Sequence, residues 1–243
     1  MGLSADLKIL FHMVFAGVSG DTHGDRLEAF YRAQAGAYDD FRRRLLHGRE
    51  RMMNALEIPE GAIGLDMGGG TGSNFEALGD KIRRYRRATI VDLSPSLLKI
   101  AGERIARHGW TNIDTVVADA TAYRPPEGYA DVVTFSYSLT MIPDWFKAVD
   151  HALAVLKPGG LIGVADFYAA RKWPAPGLKK HSAFVRGFWP LWFSYDNVFL
   201  SPDHLPYLRD RFETVLLEER MGTVPYLLGL KAPYYVFVGR KRG

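Results

Sequence analysis

The chain has 243 residues, 47% of them apolar and 24% charged, with 25 glycines, a balance that buries a large core and excludes disordered, collagen-like and coiled-coil architectures. Its length suits one α/β domain, with or without an insertion, rather than two full domains. The net charge of +4 comes from 31 Lys and Arg against 27 Asp and Glu, too even for a dedicated nucleic-acid binder, and the lack of cysteine removes disulfides, thiolate metal sites and cysteine nucleophiles and fits a reducing cytoplasm.

The first apolar stretch, Leu7 to Val18, is broken by Lys8 and His12 and falls short of the roughly 20 apolar residues that span a bilayer. Asp6 ahead of Lys8 is a poor opening for a secretion signal. Residues 1–60 read as a helical segment that leads into and covers the domain, and residues 61–243 as the domain itself. Ala62 to Met67 is a short apolar run ending in a glycine cluster, and Thr89 to Asp92 is a β-branched run ending on an acid; both predict buried parallel strands. From Ser94 to His108 a helix is predicted, because Ser94 supplies an N-cap, Pro95 suits the first helical position, and Leu97, Leu98, Ala101 and Ile105 recur at helical spacing. Strands at 113–118, 131–136 and 161–166 follow, with a helix at 144–156 ended by Lys157-Pro158-Gly159-Gly160. These alternating steps predict a doubly wound sheet. Ser201-Pro202 starts another helix, and the alternating runs Phe212 to Glu218 and Tyr234 to Gly239 predict an antiparallel hairpin on one sheet edge.

Residues 167–200 break the rhythm, since 34 positions join a strand to the next helix start where such connections usually take about 2–6. This insertion holds ten of the 31 aromatic residues, and Arg171, Lys172, Lys179, Lys180 and Arg186 against Asp196 give it a charge of +4, equal to that of the whole chain. Aromatic rings with basic residues suit docking at an anionic membrane surface, together with Leu7 to Val18. The competing expectation is that the rings fold inward as an ordinary lid.

The loop Asp66-Met67-Gly68-Gly69-Gly70-Thr71-Gly72 follows the first strand, where an open α/β sheet admits a ligand. It lacks the Gly-Lys-Ser/Thr ending of a nucleoside-triphosphate loop, and the third glycine of a dinucleotide fingerprint falls at Ser73. What remains, D-x-G-x-G-x-G, lets the backbone approach a ligand without a pyrophosphate cradle, which suits S-adenosylmethionine. Asp92 ends the second strand 26 residues after Asp66 and is placed to accept both ribose hydroxyls; Asp119, after the third strand, is placed to accept from the adenine amine. Strand-end acids that merely cap helices are the plainer alternative. With Asp66, Gly68, Gly70, Gly72, Asp92 and Asp119 go Leu93, Ala120, Ser136 and Arg49 as expected cofactor contacts. The combination predicts the Rossmann-like class I methyltransferase fold, with about seven strands and a last antiparallel hairpin.

Longer strings carry a narrower resemblance: Phe30-Tyr31-Arg32-Ala33-Gln34-Ala35, Tyr38-Asp39, Phe41 to Arg49, Thr134 to Trp145, Asp166-Phe167-Tyr168, Phe188-Trp189, Leu200 to Leu208 and Pro233 to Phe237. Over residues 30–241 the chain resembles the N-methyltransferases of betaine-lipid synthesis. The resemblance implies threefold methylation of diacylglyceryl homoserine, with S-adenosylhomocysteine as coproduct, and a separate partner enzyme that supplies this lipid. It also implies peripheral membrane work on the cytoplasmic side. Phosphatidylethanolamine or a small quinone-like molecule are the alternative acceptors.

Methyl transfer from a sulfonium is an in-line displacement, so the protein must align the acceptor and exclude water. A proton acceptor near the amine helps each round, and Tyr38, His47 and Asp166 are candidates, with Tyr137 beside them at the strand end. Tyr31, Trp145, Tyr168 and Trp189 offer aromatic faces to a growing ammonium, although rings at such positions also simply pack a core. Arg42 and Arg44 offer guanidinium forks for the substrate carboxylate. The seven histidines form no H-x-x-x-H pair, so no metal is expected.

Overall fold

The computed structural model describes residue 28, residues 44–225, residue 227 and residues 229–243. Its strands are β1 (Ala62–Met67), β2 (Tyr85–Asp92), β3 (Ile113–Val117), β4 (Ala130–Ser136), β5 (Leu156–Phe167), β6 (Phe212–Thr223) and β7 (Lys231–Lys241). They form one sheet in the order β3-β2-β1-β4-β5-β7-β6. The first five strands pair in parallel, and β7 runs antiparallel to both β5 and β6. This is the expected doubly wound sheet with its terminal hairpin. Every residue of β1 is buried, as its unbroken apolar run requires between two covered faces.

Two apolar cores cover the two faces. Helices α1 (Arg49–Ala55), α2 (Pro95–His108) and α4 (Ala183–Ser194) contribute to one, where Met52, Leu98 and Trp189 meet Val236 and Val238. Helices α3 (Trp145–Val155) and α5 (His204–Arg211) contribute to the other, with Ala148, Leu205 and Phe237. Helix α2 begins as its sequence dictates: Ser94 Oγ accepts from Leu97 N at 3.3 Å, Pro95 opens the helix, and Gly109 at φ 64° closes it.

Several elements differ from expectation, and β5, expected over 161–166, begins at Leu156 and takes in the Lys157-Pro158-Gly159-Gly160 stretch expected to end the helix before it. Strand β2 begins at Tyr85 rather than Thr89, because exposed Arg86 and half-buried Arg87 continue the strand with polar side chains that hide it from a hydrophobicity reading. Helix α5 begins at His204, with Ser201 Oγ accepting from Asp203 N at 3.1 Å in the turn before it. The segment after the glycine loop is a 3₁₀ run over Ser73–Arg84 kinked at Gly79, whose φ of 52° and ψ of −131° interrupt the helical path. Tyr31, Tyr38, Arg42 and the Leu7 to Val18 stretch lie outside the described residues.

Candidate functional site

The sheet order reverses at β1, which pairs β2 on one side and β4 on the other, and the glycine loop leaves β1 at that switch point. There a cleft of about 230 Å³ is lined on one side by Gly68, Gly70, Asp92, Leu93, Asp119 and Ala120, and on the other by Tyr137, Ser138 and Met141 to Asp144. Six of the ten expected cofactor contacts thus share one wall.

The loop is held by its own acids. Asp66 is fully buried beneath it, accepting from Asn74 Nδ2 at 3.0 Å and from Thr134 Oγ1 at 2.7 Å, and Thr134 is its register partner on β4. Burial pushes the Asp66 carboxyl above its ordinary range, while both donors pull the other way. Asp66 therefore supports the loop from below rather than lining the cleft. Asp92 accepts from Gly70 N and Ser94 N, each at 2.9 Å, so one carboxylate ties the glycine loop to the start of α2 at the cleft wall. Asp119 Oδ1 accepts from Thr121 N at 2.7 Å.

Close approach explains two of the glycines. Gly68, at φ +65°, would place a Cβ 2.6 Å from Ser138 Cβ, and Gly72, at φ +69°, would place one 2.6 Å from Ile90 Cδ1. Gly72 thus serves packing against β2. Arg49 Nη1 donates to Ser73 Oγ at 2.9 Å and lines a smaller cleft of about 140 Å³ behind the loop, with Asn74 and Arg104. Ser136 is buried at the end of β4.

The other expected site residues disperse. Tyr137 takes a positive φ of 55° at the end of β4, lines the cleft, and donates its hydroxyl to His47 O at 2.7 Å. Burial raises its pKa well above the ordinary phenol value, so it stays protonated at neutral pH. His47 Nε2 donates to Thr223 O at 2.9 Å, the only role open beside a carbonyl, and its ring stacks 5.7 Å from Tyr234. Asp166 is fully buried, accepts from Thr140 Oγ1 at 2.8 Å and Phe167 N at 2.8 Å, and burial pushes its pKa up to about 7. It anchors the start of the Thr140 to Asp144 wall.

Arg44 is exposed. Trp145 packs edge-on against His204 and Tyr207 on the α5 side. Tyr168 donates to Glu219 Oε1 and packs on His181 and Tyr235, and Trp189 lies 1% exposed in the α4 core. These three rings are placed by packing.

Sequence reasoning passed over Thr134, Asn74, Ser138 and Glu28. Glu28 accepts from Ser94 Oγ at 2.6 Å and also from Ser96 Oγ, at the start of α2 next to Asp92. The wall residue Ser138, whose Oγ donates to Met67 O at 2.9 Å, carried only a small-residue signal.

These residues fit S-adenosylmethionine. Among the described residues, the buried Asn74 Oδ1, beneath the loop, and Ser136 Oγ, at the end of β4, have no hydrogen-bond partner, as groups awaiting a polar ligand would. Met141, Ile142 and Pro143 supply an apolar wall suited to a flat base.

Comparison with known proteins agrees with this geometry. Residues 43–184 match the model of the ubiE/COQ5 methyltransferase family. The chain is 28% identical over 148 residues to the ubiquinone/menaquinone biosynthesis C-methyltransferase UbiE of Hydrogenovibrio crunogenus, covering 58% of each chain, and 28% identical over 162 residues to that of Shewanella woodyi, covering 64% of each. It therefore spans about three fifths of the length of these curated relatives. Among solved structures, the YcgJ protein of Bacillus subtilis aligns with a TM-score of 0.62 at 17% identity, over 81% of this chain and 99% of that one. The Haemonchus contortus phosphoethanolamine N-methyltransferase 2, in complex with phosphomonomethylethanolamine and S-adenosylhomocysteine, aligns with a TM-score of 0.68 at 15% identity, over 92% of this chain and 61% of that one. At such identities these two likenesses concern the fold alone. The named curated relatives are C-methyltransferases, whereas the longer sequence strings resemble an N-methyltransferase, and the methyltransferase class is what both share. With more than half its length matched by the family model, the chain belongs to the ubiE/COQ5 methyltransferase family.

Proposed function

We propose that the chain transfers the methyl group of S-adenosylmethionine to a lipophilic acceptor, and that a quinone-like ring carbon is the methylated atom. The observation that carries this reading is the cleft at the switch point, with Asp92 and Asp119 on one wall and Met141, Ile142 and Pro143 on the other. The relatives' C-methyltransferase names support the quinone-like acceptor over an amine.

S-Adenosylmethionine supplies an electrophilic methyl group on a sulfonium. The protein's part is placement. Gly68 and Gly70 admit the ligand close to the backbone, and Asp92 takes ribose hydroxyls while holding the Gly70 and Ser94 amides, since a carboxylate offers about four acceptor positions. Asp119 takes the adenine amine. Asp66, Thr134 and Asn74 fix the loop from below. Tyr137 stays neutral and closes the acceptor side through its bond to the His47 carbonyl. His47 acts here as a positioning residue, its carbonyl accepting from Tyr137 and its ring Nε2 donating to Thr223 O.

A second reading keeps the amine of diacylglyceryl homoserine as acceptor. It is favoured by the resemblance beyond residue 184, in Leu200 to Leu208 and Pro233 to Phe237. One site would then perform three successive methylations, and a separate enzyme would supply the lipid. Incubation with deuteromethyl S-adenosylmethionine and both acceptors, dispersed in detergent, separates the readings by fragmentation mass spectrometry. Label on a ring carbon is expected; up to three labelled methyls on nitrogen would move the assignment to the second reading, and label on neither would overturn both.

A further inference from the structure

Helix α4, AFVRGFWPLWFS, carries a single charged residue, Arg186, and is apolar around its whole circumference. A surface helix ordinarily keeps a polar outer face. Its inner face is occupied: Trp189 and Phe193 are buried, Phe193 stacks on Phe167 with 4.5 Å between centroids, and Phe167 meets Tyr137 edge-on at 4.6 Å. Tyr137 is part of the cleft wall, so α4 lies two ring contacts from the cleft.

The outer side is not covered by any described residue to the same degree. Phe184 is 57% exposed and Leu191 62%, and Tyr195 and Phe199 just beyond the helix are 62% and 60% exposed. Phe184, Phe188 and Trp192, spaced four apart, stack in a ladder at 4.9 and 5.8 Å. Among the described residues, four of the five exposed large aromatics fall within 173–199: Trp173, Phe184, Tyr195 and Phe199, with Phe146 the fifth.

Two of the basic residues in the insertion are paired with groups of the protein itself. Arg171 pairs with Asp203 at 2.6 Å, and Lys179 Nζ donates to Glu219 O at 2.5 Å. Lys172 and Lys180 instead hold their ammonium groups 5.4 and 5.1 Å from the ring centre of Trp173, itself 73% exposed. A tryptophan flanked by lysines is the side-chain pattern of a bilayer interface, where the ring sits at headgroup depth and the ammonium groups reach lipid phosphates.

We propose that the outer face of α4, with the Lys172-Trp173-Lys180 cluster, is a docking surface for an anionic lipid bilayer, delivering the acceptor to the cleft beside α4's inner face. The delivery clause rests on the lipophilic-acceptor reading; the docking does not. Charge favours this occupant over a second copy, because a two-fold contact through this face would bring the Lys172 and Lys180 ammonium groups of two copies together.

The test is flotation of the full chain with phosphatidylcholine vesicles, with and without phosphatidylglycerol. Two double variants are compared, Phe184→Glu with Leu191→Glu, and Lys172→Glu with Lys180→Glu. The unaltered chain is expected to float with the anionic vesicles, and each variant to lose roughly tenfold or more of its partitioning. S-Adenosylmethionine affinity, and turnover of detergent-dispersed acceptor, should stay at the unaltered level. Absence of binding by the unaltered chain, or equal binding by the variants, overturns the proposal. So does a dimer in mass photometry that Phe184→Glu with Leu191→Glu dissolves, which assigns the face to a second copy, or a lowered melting temperature in that variant, which assigns it to the chain's own residues 1–43. Failure of the acceptor reading would show differently, as intact flotation with no methyl transfer.

Discussion

Asp92 joins three tasks in one side chain: it holds Gly70, caps the approach to α2 through Ser94, and faces the cleft. Asp92→Ala removes a charged acceptor and loosens the loop together, so S-adenosylmethionine affinity should fall by about 10- to 100-fold in titration calorimetry. Affinity unchanged in that variant would remove Asp92 from the site. Asp119, whose carboxylate accepts from Thr121 N and ties no glycine of the loop, should cost less when changed to Ala. His204 sits far from this chemistry but governs acid stability. It is fully buried, and burial lowers its pKa to about 3. The unfolded chain takes up that proton near pH 6.5 while the folded one refuses it, so the stability this residue contributes is present above pH 6.5 and lost as pH falls toward 3. From pH 8 to pH 5 the unaltered chain should lose about 2 kcal/mol more than His204→Gln in urea titrations. Asp166, raised to about 7 by burial, acts in the opposite direction, favouring the fold below its ordinary range and losing that effect as pH rises through 7, but it is common to both proteins.

At the scale of elements, glycine conformation separates strain from function. Gly68 and Gly159 both hold positive φ, +65° and +76°, but only Gly68 faces a neighbour, Ser138, within van der Waals reach. Changing either to Ala should cost about 1 kcal/mol or more in backbone strain. Gly68→Ala should also weaken cofactor binding by roughly tenfold or more, and Gly159→Ala should leave it unchanged; equal effects in calorimetry would show that the loop glycine matters to folding alone. The parallel strands were legible because β1, β4 and most of β5 are buried on both faces and so read as continuous apolar runs. Helix α2 was legible because its Ser-Pro start and Gly109 stop are local chemistry. The extension of β2 back to Tyr85 and the kink at Gly79 were not, since both depend on neighbours in space rather than on periodicity. The cleft's acids were legible by strand-end position, whereas Trp145, Tyr168 and Trp189 were not resolved between ligand and core roles, because a ring has the same sequence signal in either. Their packing against His204, Glu219 and Phe193 is a tertiary fact.

For the whole molecule, the insertion 167–200 supplies what the sheet lacks. The sheet and its glycine loop offer a cleft at the switch point; α4 packs behind the cleft residue Tyr137 through Phe193 and Phe167, and presents apolar surface outward. No described helix is long and apolar enough to cross a membrane. The account stands on transfer from this cleft to a lipophilic molecule, and the most direct measurement follows the methyl group itself. The chain is incubated with isotopically labelled S-adenosylmethionine and a lipid extract, beside Asp92→Ala, and label is counted in the organic phase. The account predicts label in the lipid fraction that falls at least as steeply in Asp92→Ala as cofactor affinity does. Label confined to the aqueous phase, with cofactor binding intact, would contradict it.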